Sequence, residues 1–313
     1  MDPRGVSTVL VVGAGAMGHS IAQVFAQAGI DVELVDLDEG KLSRAMTLIQ
    51  SNLDLLAECG RVPSAQIPEI VARIRPSTNL AAAAKDTGFV LEAVNEAPEI
   101  KQRVFSQLDR FCPPDTVLAS NTSSLNIFKI ARIKRPERLI VAHWFAPPHI
   151  IPLVEVAPGP ATLPKVIAFT TALMQRLGKR PLVLKQYVPA LIVNRIQNSI
   201  ARVVWEMLEK AWATPEQIDL AVKTSLGIRL PIVGVVQSVD FTGLDVAADI
   251  MRGYGAVSPV VAEKVEQGHL GAKTSKGLYD YGGRSEEEIL TKRDRQYLKM
   301  LEHLERIRAF DPI

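Results

Sequence analysis

The sequence predicts an α/β protein in which a doubly wound sheet precedes an all-α domain. Three observations carry this reading. A β-branched run ends in a glycine-rich turn that opens a helix. Short strand patterns then alternate with helical ones. Beyond Lys185 only helical spacing remains.

Residues 6–12 (VSTVLVV) read as a buried strand that stops at glycine. Residues 16–28 follow with helical spacing, and Gly29 sits where a helix ends. Residues 30–36 (IDVELVD) form a second strand. Asp38 is placed to cap a helix running through Leu42, Ala45, Met46, Ile49 and Leu53. These parts make a βαβ unit with parallel strands and a right-handed crossover. Strands follow at 87–94, 116–120, 138–143, 152–157 and 181–184, with helices at 97–111 and 163–177. The second half reads as helices over 188–213, 215–224, 257–266 and 286–307. Thr214 is the N-cap of the second and Pro215 its first residue. The domains are therefore expected at 1–186 and 187–313.

Composition bounds the rest. A chain of 313 residues with 47% hydrophobic residues can bury its core without disulfides or a structural metal. Lys and Arg number 36 against 34 Asp and Glu, which argues against a nucleic-acid partner. Cys59 and Cys112 are too few for a disulfide framework or a Cys-rich zinc site, and no metal is expected. No apolar run approaches a membrane span, and strand residues from Val6 leave no room for a leader. A soluble, cytoplasmic protein is expected.

The turn Gly13-Ala14-Gly15-Ala16-Met17-Gly18 is G-x-G-x-x-G in the strand–turn–helix setting that the motif needs. Gly13 permits the turn, Gly15 lets backbone N–H groups approach a pyrophosphate, and Gly18 permits close packing of helix on sheet. Asp36 ends the second strand. A carboxylate there accepts from both adenosine ribose hydroxyls and repels a 2′-phosphate, so NAD is expected over NADP. The bland alternative is a turn whose acid merely caps a helix.

Ser120-Asn121-Thr122-Ser123-Ser124 joins a strand to a helix. It reads as an N-cap cluster or as a polar loop at the carboxyl edge of the sheet. His143 ends an apolar strand, and Glu155 lies inside another (PLVEV). A buried Glu needs a partner, and His is a natural one, either as a structural pair or as a general-base pair. Asn194, early in a helix, either faces a substrate oxygen or joins the domains. His149 has no metal-like spacing and reads as loop.

These motifs, in order, resemble the L-3-hydroxyacyl-CoA dehydrogenase family. They are GAGAMG, LEAVNE (91–96) with Lys101, SNTSSL (120–125), His143 followed by PLVEV, IVNR (192–195) and GAKTSKGLYDY (271–281). The resemblance implies an N-terminal Rossmann-like domain and an NAD-dependent oxidation of a 3-hydroxyacyl-CoA to the 3-ketoacyl-CoA, within fatty acid metabolism. It implies that His143 is the base, oriented by Glu155, and that Ser123 and Asn194 hydrogen-bond the substrate oxygen. Gly13, Gly15, Ala16, Met17, Gly18 and Asp36 would hold the dinucleotide. Glu96, Lys101 and Ser123 would lie near its nicotinamide ribose. A homodimer formed through the helical half is also implied. The apolar stretch 226–239 (LGIRLPIVGVVQSV) reads as buried between domains or against a second subunit.

The chain also departs from the family. Ala146 stands where Asn is usual, and Pro189-Ala190-Leu191 where Pro-Gly-Phe is usual. From 41 to 61 the only basic residues are Lys41, Arg44 and Arg61. A ligand with several phosphates favours more. A branch that includes L-gulonate dehydrogenase, lambda-crystallin and carnitine dehydrogenases acts on free hydroxy acids, and the 148–155 stretch is similar to theirs. The substrate is thus expected to be a small molecule, an acyl-CoA or alternatively a free 3-hydroxy acid. A non-catalytic crystallin-like NAD-binding protein is the remote alternative. The lysine of the other β-hydroxyacid dehydrogenases, in a K-x-x-N-N pattern, is missing from 191–198.

Overall fold

Val9 and Val11 point into one hydrophobic layer, and Leu10 and Val12 into the other. Strand β1 (Thr8–Val12) is therefore covered on both faces by helices. The structure is a computed structural model that describes residues 5–311. It divides into two compact units, the first ending at Ser199 and the second beginning at Ile200. The sequence expectation put the division at 186/187, ahead of the long helix.

The first unit is an eight-stranded sheet. After β1 come β2 (Asp31–Val35), β3 (Ile74–Ser77), β4 (Phe89–Glu92), β5 (Val117–Ser120), β6 (Leu139–Trp144), β7 (Leu153–Pro158) and β8 (Arg180–Val183). Their order is β3-β2-β1-β4-β5-β6-β7-β8. Strands β1 to β6 are parallel. Helices Gly18–Gln27, Glu39–Glu58 and Pro164–Arg176 pack on one face, and Pro98–Phe111 on the other. Chain order reverses at β1/β4, which opens a crevice at the carboxyl ends of these strands.

Two features of the sheet were not read from the sequence. Strand β3 (IRPS) buries only Ile74 fully and holds a proline, so it shows no strand pattern; it adds to the edge by pairing with β2. Strand β7 runs antiparallel to β6, because residues 145–152 hold no crossover helix and the chain must turn straight back. That reversal makes His143 and Glu155 register partners.

The helix expected over 188–213 is shorter, Val193–Glu209. Ala190 and Leu191 adopt left-handed φ values of 61° and 51°, which a right-handed helix cannot contain. Ala211, at 52°, closes the other end.

The second unit is helical: Pro215–Ala221, Gly227–Thr242, Leu244–Gly253, Pro259–Glu266 and Glu286–Arg306. Thr214 and Ser285 make capping boxes with Gln217 and Glu288. The apolar stretch 226–239 lies mostly in Gly227–Thr242, broken at Gly234 (φ 67°). Only Val233 of its side chains is buried, while Val235 and Val236 are half exposed. The motif GAKTSKGLYDY folds around buried Asp240. Its carboxylate accepts from Leu278 N (2.9 Å), Tyr279 N (2.9 Å) and the Tyr281 hydroxyl (3.0 Å). Gly271 and Gly277 lie so close to Asp240 that a Cβ at either would collide with it. No helix among the described residues is long and apolar enough to cross a membrane.

Candidate active site

The glycine turn has the shape of a dinucleotide cradle. Gly13 (φ +104°) lies under the Ala93 carbonyl, where a Cβ would sit 2.5 Å from that oxygen. A Cβ on Gly18 would collide with the Gly13 carbonyl. Around the Gly15 Cβ position there is open space. Gly13 and Gly18 thus serve packing, and Gly15 with Ala16 faces outward at the start of helix Gly18–Gln27. Asp36 reaches back to this turn and accepts from Ala14 N at 2.9 Å and from Asp38 N at 3.2 Å. Asp38 caps its own helix through Gly40 N and Lys41 N. Ribose hydroxyls would share the Asp36 oxygens with these amides. The residues present fit an NAD molecule.

Beside the turn lies a cavity of about 430 Å³. Its lining residues are Met17, Ala93, Val94, Glu96, Asn121, Ser123, His143, Trp144, Phe145, Ala146 and Asn194. Of the sequence-expected site, Met17, Glu96, Ser123, His143 and Asn194 meet here.

His143 and Glu155 pair within it. His143 Nδ1 lies 3.0 Å from Glu155 Oε2, and both side chains are buried. The other oxygen, Oε1, accepts from Ile192 N (2.9 Å) and Val193 N (3.0 Å), where the helix Val193–Glu209 begins. Burial opposes the charge of Glu155. The His143 hydrogen bond and these two amides outweigh burial and hold the carboxyl below its ordinary range. With Nδ1 engaged, Nε2 is the nitrogen left to a ligand in the cavity. The Phe145 ring meets the imidazole edge-on at 4.5 Å.

The Ser/Thr loop is shaped by a residue outside it. Glu96 Oε1 accepts from the Thr122 hydroxyl (2.7 Å), Ser123 N (2.9 Å) and Ser124 N (2.9 Å). Burial raises the Glu96 pKa, but Thr122, the Ser124 amide and Lys101 outweigh it, and it falls to about 2. Lys101 is 1% exposed and lies 2.6 Å from Glu92 and 3.1 Å from Glu96. Ser120 donates to the second Glu92 oxygen at 2.5 Å. Burial pushes Glu92 up against the opposing pull of Lys101, Ser120 and the Val94 amide. Lys101 thus meets the cavity through Glu96. Asn194 Nδ2 donates to the Ser123 carbonyl at 3.4 Å.

Asn121 was missed as a separate site residue. It directly follows β5, and its Oδ1 accepts from Trp144 N at 2.8 Å, which ties the β5 and β6 ends together beside the cavity. Its place directly after a strand, in a polar run, was the available signal. His149, read as loop, bonds Ser20 of the helix that follows the glycine turn, its Nδ1 2.7 Å from the hydroxyl.

Comparisons with known proteins match both parts of the chain to one family. Residues 8–187 match the family described as 3-hydroxyacyl-CoA dehydrogenase, NAD binding domain. Residues 191–281 match 3-hydroxyacyl-CoA dehydrogenase, C-terminal domain. The chain is 29% identical to 5-formyl-3-hydroxy-2-methylpyridine 4-carboxylate 5-dehydrogenase of Mesorhizobium japonicum, over 96% of this chain and 99% of that one. It is 34% identical to the probable 3-hydroxybutyryl-CoA dehydrogenase of Bacillus subtilis, over 88% of this chain and 98% of that one. A solved 3-hydroxyacyl-CoA dehydrogenase from Archaeoglobus fulgidus superposes with a TM-score of 0.78 at 29% identity. That match covers 95% of this chain and 99% of the other.

Proposed function

We propose that this chain, which belongs to the 3-hydroxyacyl-CoA dehydrogenase family, oxidises the 3-hydroxyl of a 3-hydroxyacyl-CoA to the 3-ketoacyl-CoA, reversibly. It is an NAD-dependent oxidoreductase acting on a CH–OH group. The observation that carries the residue roles is the buried His143–Glu155 pair at the edge of the cavity.

His143 Nε2 takes the hydroxyl proton as the C–O bond gains double-bond character. Glu155 stabilises the imidazolium and keeps the proton on Nδ1. Ser123 and Asn194 hydrogen-bond the oxygen, so its charge meets fixed donors rather than bulk water. NAD, when bound, accepts the hydride that leaves C3. Gly15, Ala16 and Met17 would hold its pyrophosphate on the turn that Gly13 and Gly18 shape, and Asp36 would hold its adenosine ribose. Glu96, Ser123 and, through Glu96, Lys101 set the nicotinamide end. In reverse, His143 returns the proton.

A second reading, a free 3-hydroxy acid as substrate, rests on the exposed face of helix Glu39–Glu58. Its basic residues are Lys41 and Arg44 near the start, while Asp54 and Glu58 are exposed farther on. The pyridine-carboxylate relative, which spans nearly the same length, is named for a substrate without CoA. The helix Val193–Glu209 leaves Ile196, Ile200 and Val203 about half exposed along one stripe, which supports a homodimer as its cover. A cytoplasmic place, with no nucleic-acid partner, completes the proposal.

NADH absorbance with L-3-hydroxybutyryl-CoA, L-3-hydroxybutyrate, L-gulonate and carnitine, each with NAD, tests the reading. Thioester-only turnover supports acyl-CoA. Turnover of a free acid alone moves the chain to the second reading.

A further inference from the structure

Lys179 is a buried lysine whose ammonium meets carbonyl oxygens. It precedes β8 and is 9% exposed. Its Nζ donates to the Pro148 carbonyl (2.5 Å) and to the Ile151 carbonyl (2.9 Å), and lies 5.3 Å from the centre of the Trp144 ring. Three donors on one flexible stem suit two carbonyls that converge from different directions. The π-face of Trp144 suits the charge. Burial brings the ammonium down to about 8.

Two of these contacts fall on residues 145–152, the connection from β6 to β7, and the third falls on Trp144, the last residue of β6 and the neighbour of His143. The first residues of the connection, Phe145 and Ala146, line the cavity, and Phe145 holds the His143 ring edge-on. The stretch has little regular structure of its own. Ile150 N and Ile151 N both donate to the Pro147 carbonyl. On its other side, His149 is bound to Ser20 on the helix that follows the glycine turn. Without Lys179, the Pro148 and Ile151 carbonyls would lose their ammonium donor, and the stretch would keep its own two amide bonds, the Ser20 tie and the bond from Arg180 N to the Pro152 carbonyl.

We propose that Lys179 is a positioning residue for the reaction, clamping residues 145–152 so that Phe145 and Ala146 form the cavity wall and His143 keeps its orientation. This rests on the dehydrogenase reading above. Lys179 acts through the connection and has no role in proton or hydride transfer.

The test is Lys179→Met in the full chain, with Lys179→Arg beside it, read in three ways. Hydrogen exchange at the Ile150 and Ile151 amides should speed up by about tenfold or more in Lys179→Met. Its kcat/KM for L-3-hydroxybutyryl-CoA should fall about 30–100-fold, mostly in kcat, as expected for slight misplacement of reacting groups. The Kd for NAD, from calorimetry, should stay within about twofold, because the glycine turn is untouched. Lys179→Arg should recover most of both losses.

A folded Lys179→Met with wild-type exchange at these amides, or with kcat/KM within about twofold of wild type, overturns the proposal. Parallel loss of NAD affinity and thermal stability also overturns it, since it marks general support of the fold. Should Lys179→Met fail to fold, Lys179→Gln, which keeps an amide donor, takes its place with the same readouts. A wild-type chain that turns over none of the substrates overturns the reaction reading instead. The exchange measurement then decides by itself whether the clamp exists.

Discussion

His143 and Glu155 face each other as register partners across the antiparallel junction of β6 and β7, with Nδ1 3.0 Å from Oε2. The second Glu155 oxygen is held by the first amides of the helix Val193–Glu209. One carboxylate therefore joins three elements and orients the imidazole.

Replacing His143 by Ala should reduce kcat by about 10³-fold or more, the size of a lost general base. NAD affinity should hardly change. Glu155→Gln should be almost as damaging. Its amide oxygen can still accept from Ile192 and Val193, but its NH2 then faces Nδ1 and forces the proton onto Nε2. Steady-state rates and calorimetric NAD titration check both. Loss of NAD binding in His143→Ala would show the base misplaced.

Asp36→Ala should weaken NAD by about 10–100-fold, the worth of hydrogen bonds to a charged group. It should also relax discrimination against NADP. Because Asp36 also holds the Ala14 amide, part of the loss should appear with both cofactors. An unchanged NAD/NADP ratio of dissociation constants would remove the ribose assignment.

Glu96 makes stability depend on acid pH. Its folded pKa of about 2 lies below the ordinary 4.5. Between these values the unfolded chain binds the extra proton. The Glu96 contribution is therefore complete above pH 4.5 and is lost as pH falls toward 2. The side chain is 33% exposed, so solvent screening leaves on the order of 1 kcal/mol. Glu96→Gln should flatten this part of a plot of Tm against pH. An unaltered acid limb would place the titration elsewhere.

Ala190→Gly should stabilise the chain. Ala190 has φ 61°, a conformation that costs a residue with a Cβ about 1 kcal/mol and glycine little. After the entropy glycine adds to the unfolded state, a net gain of about 0.5 kcal/mol is expected. Differential scanning calorimetry should show a Tm higher by roughly 1 °C. A lower Tm would mean that the turn is unstrained.

Much of the site was legible because its signals are local. The G-x-G-x-x-G spacing and the Asp38 cap are read within a few residues, and Asp36 from its place at the end of β2, although its carboxylate meets Ala14 22 residues away. The early start expected for the helix after residue 188 missed the turn at Ala190 and Leu191, since neither residue type signals a left-handed backbone. Strand β3 was missed because IRPS has no alternation, and only the edge of β2 makes it a strand.

By itself the sequence determined the α/β class, the dinucleotide turn and the identity of the buried acid–imidazole pair. Backbone conformation and burial of apolar side chains follow from short-range pattern. Only the tertiary structure decided that Glu96 gathers the amides of residues 123 and 124, that Lys101 works through it, and that Lys179 meets the connection between β6 and β7. It alone also put Asp240 inside the 271–281 motif. A buried charge takes its partners from whatever polar groups the fold brings within about 3 Å, and here those partners lie five to forty-one residues away along the chain.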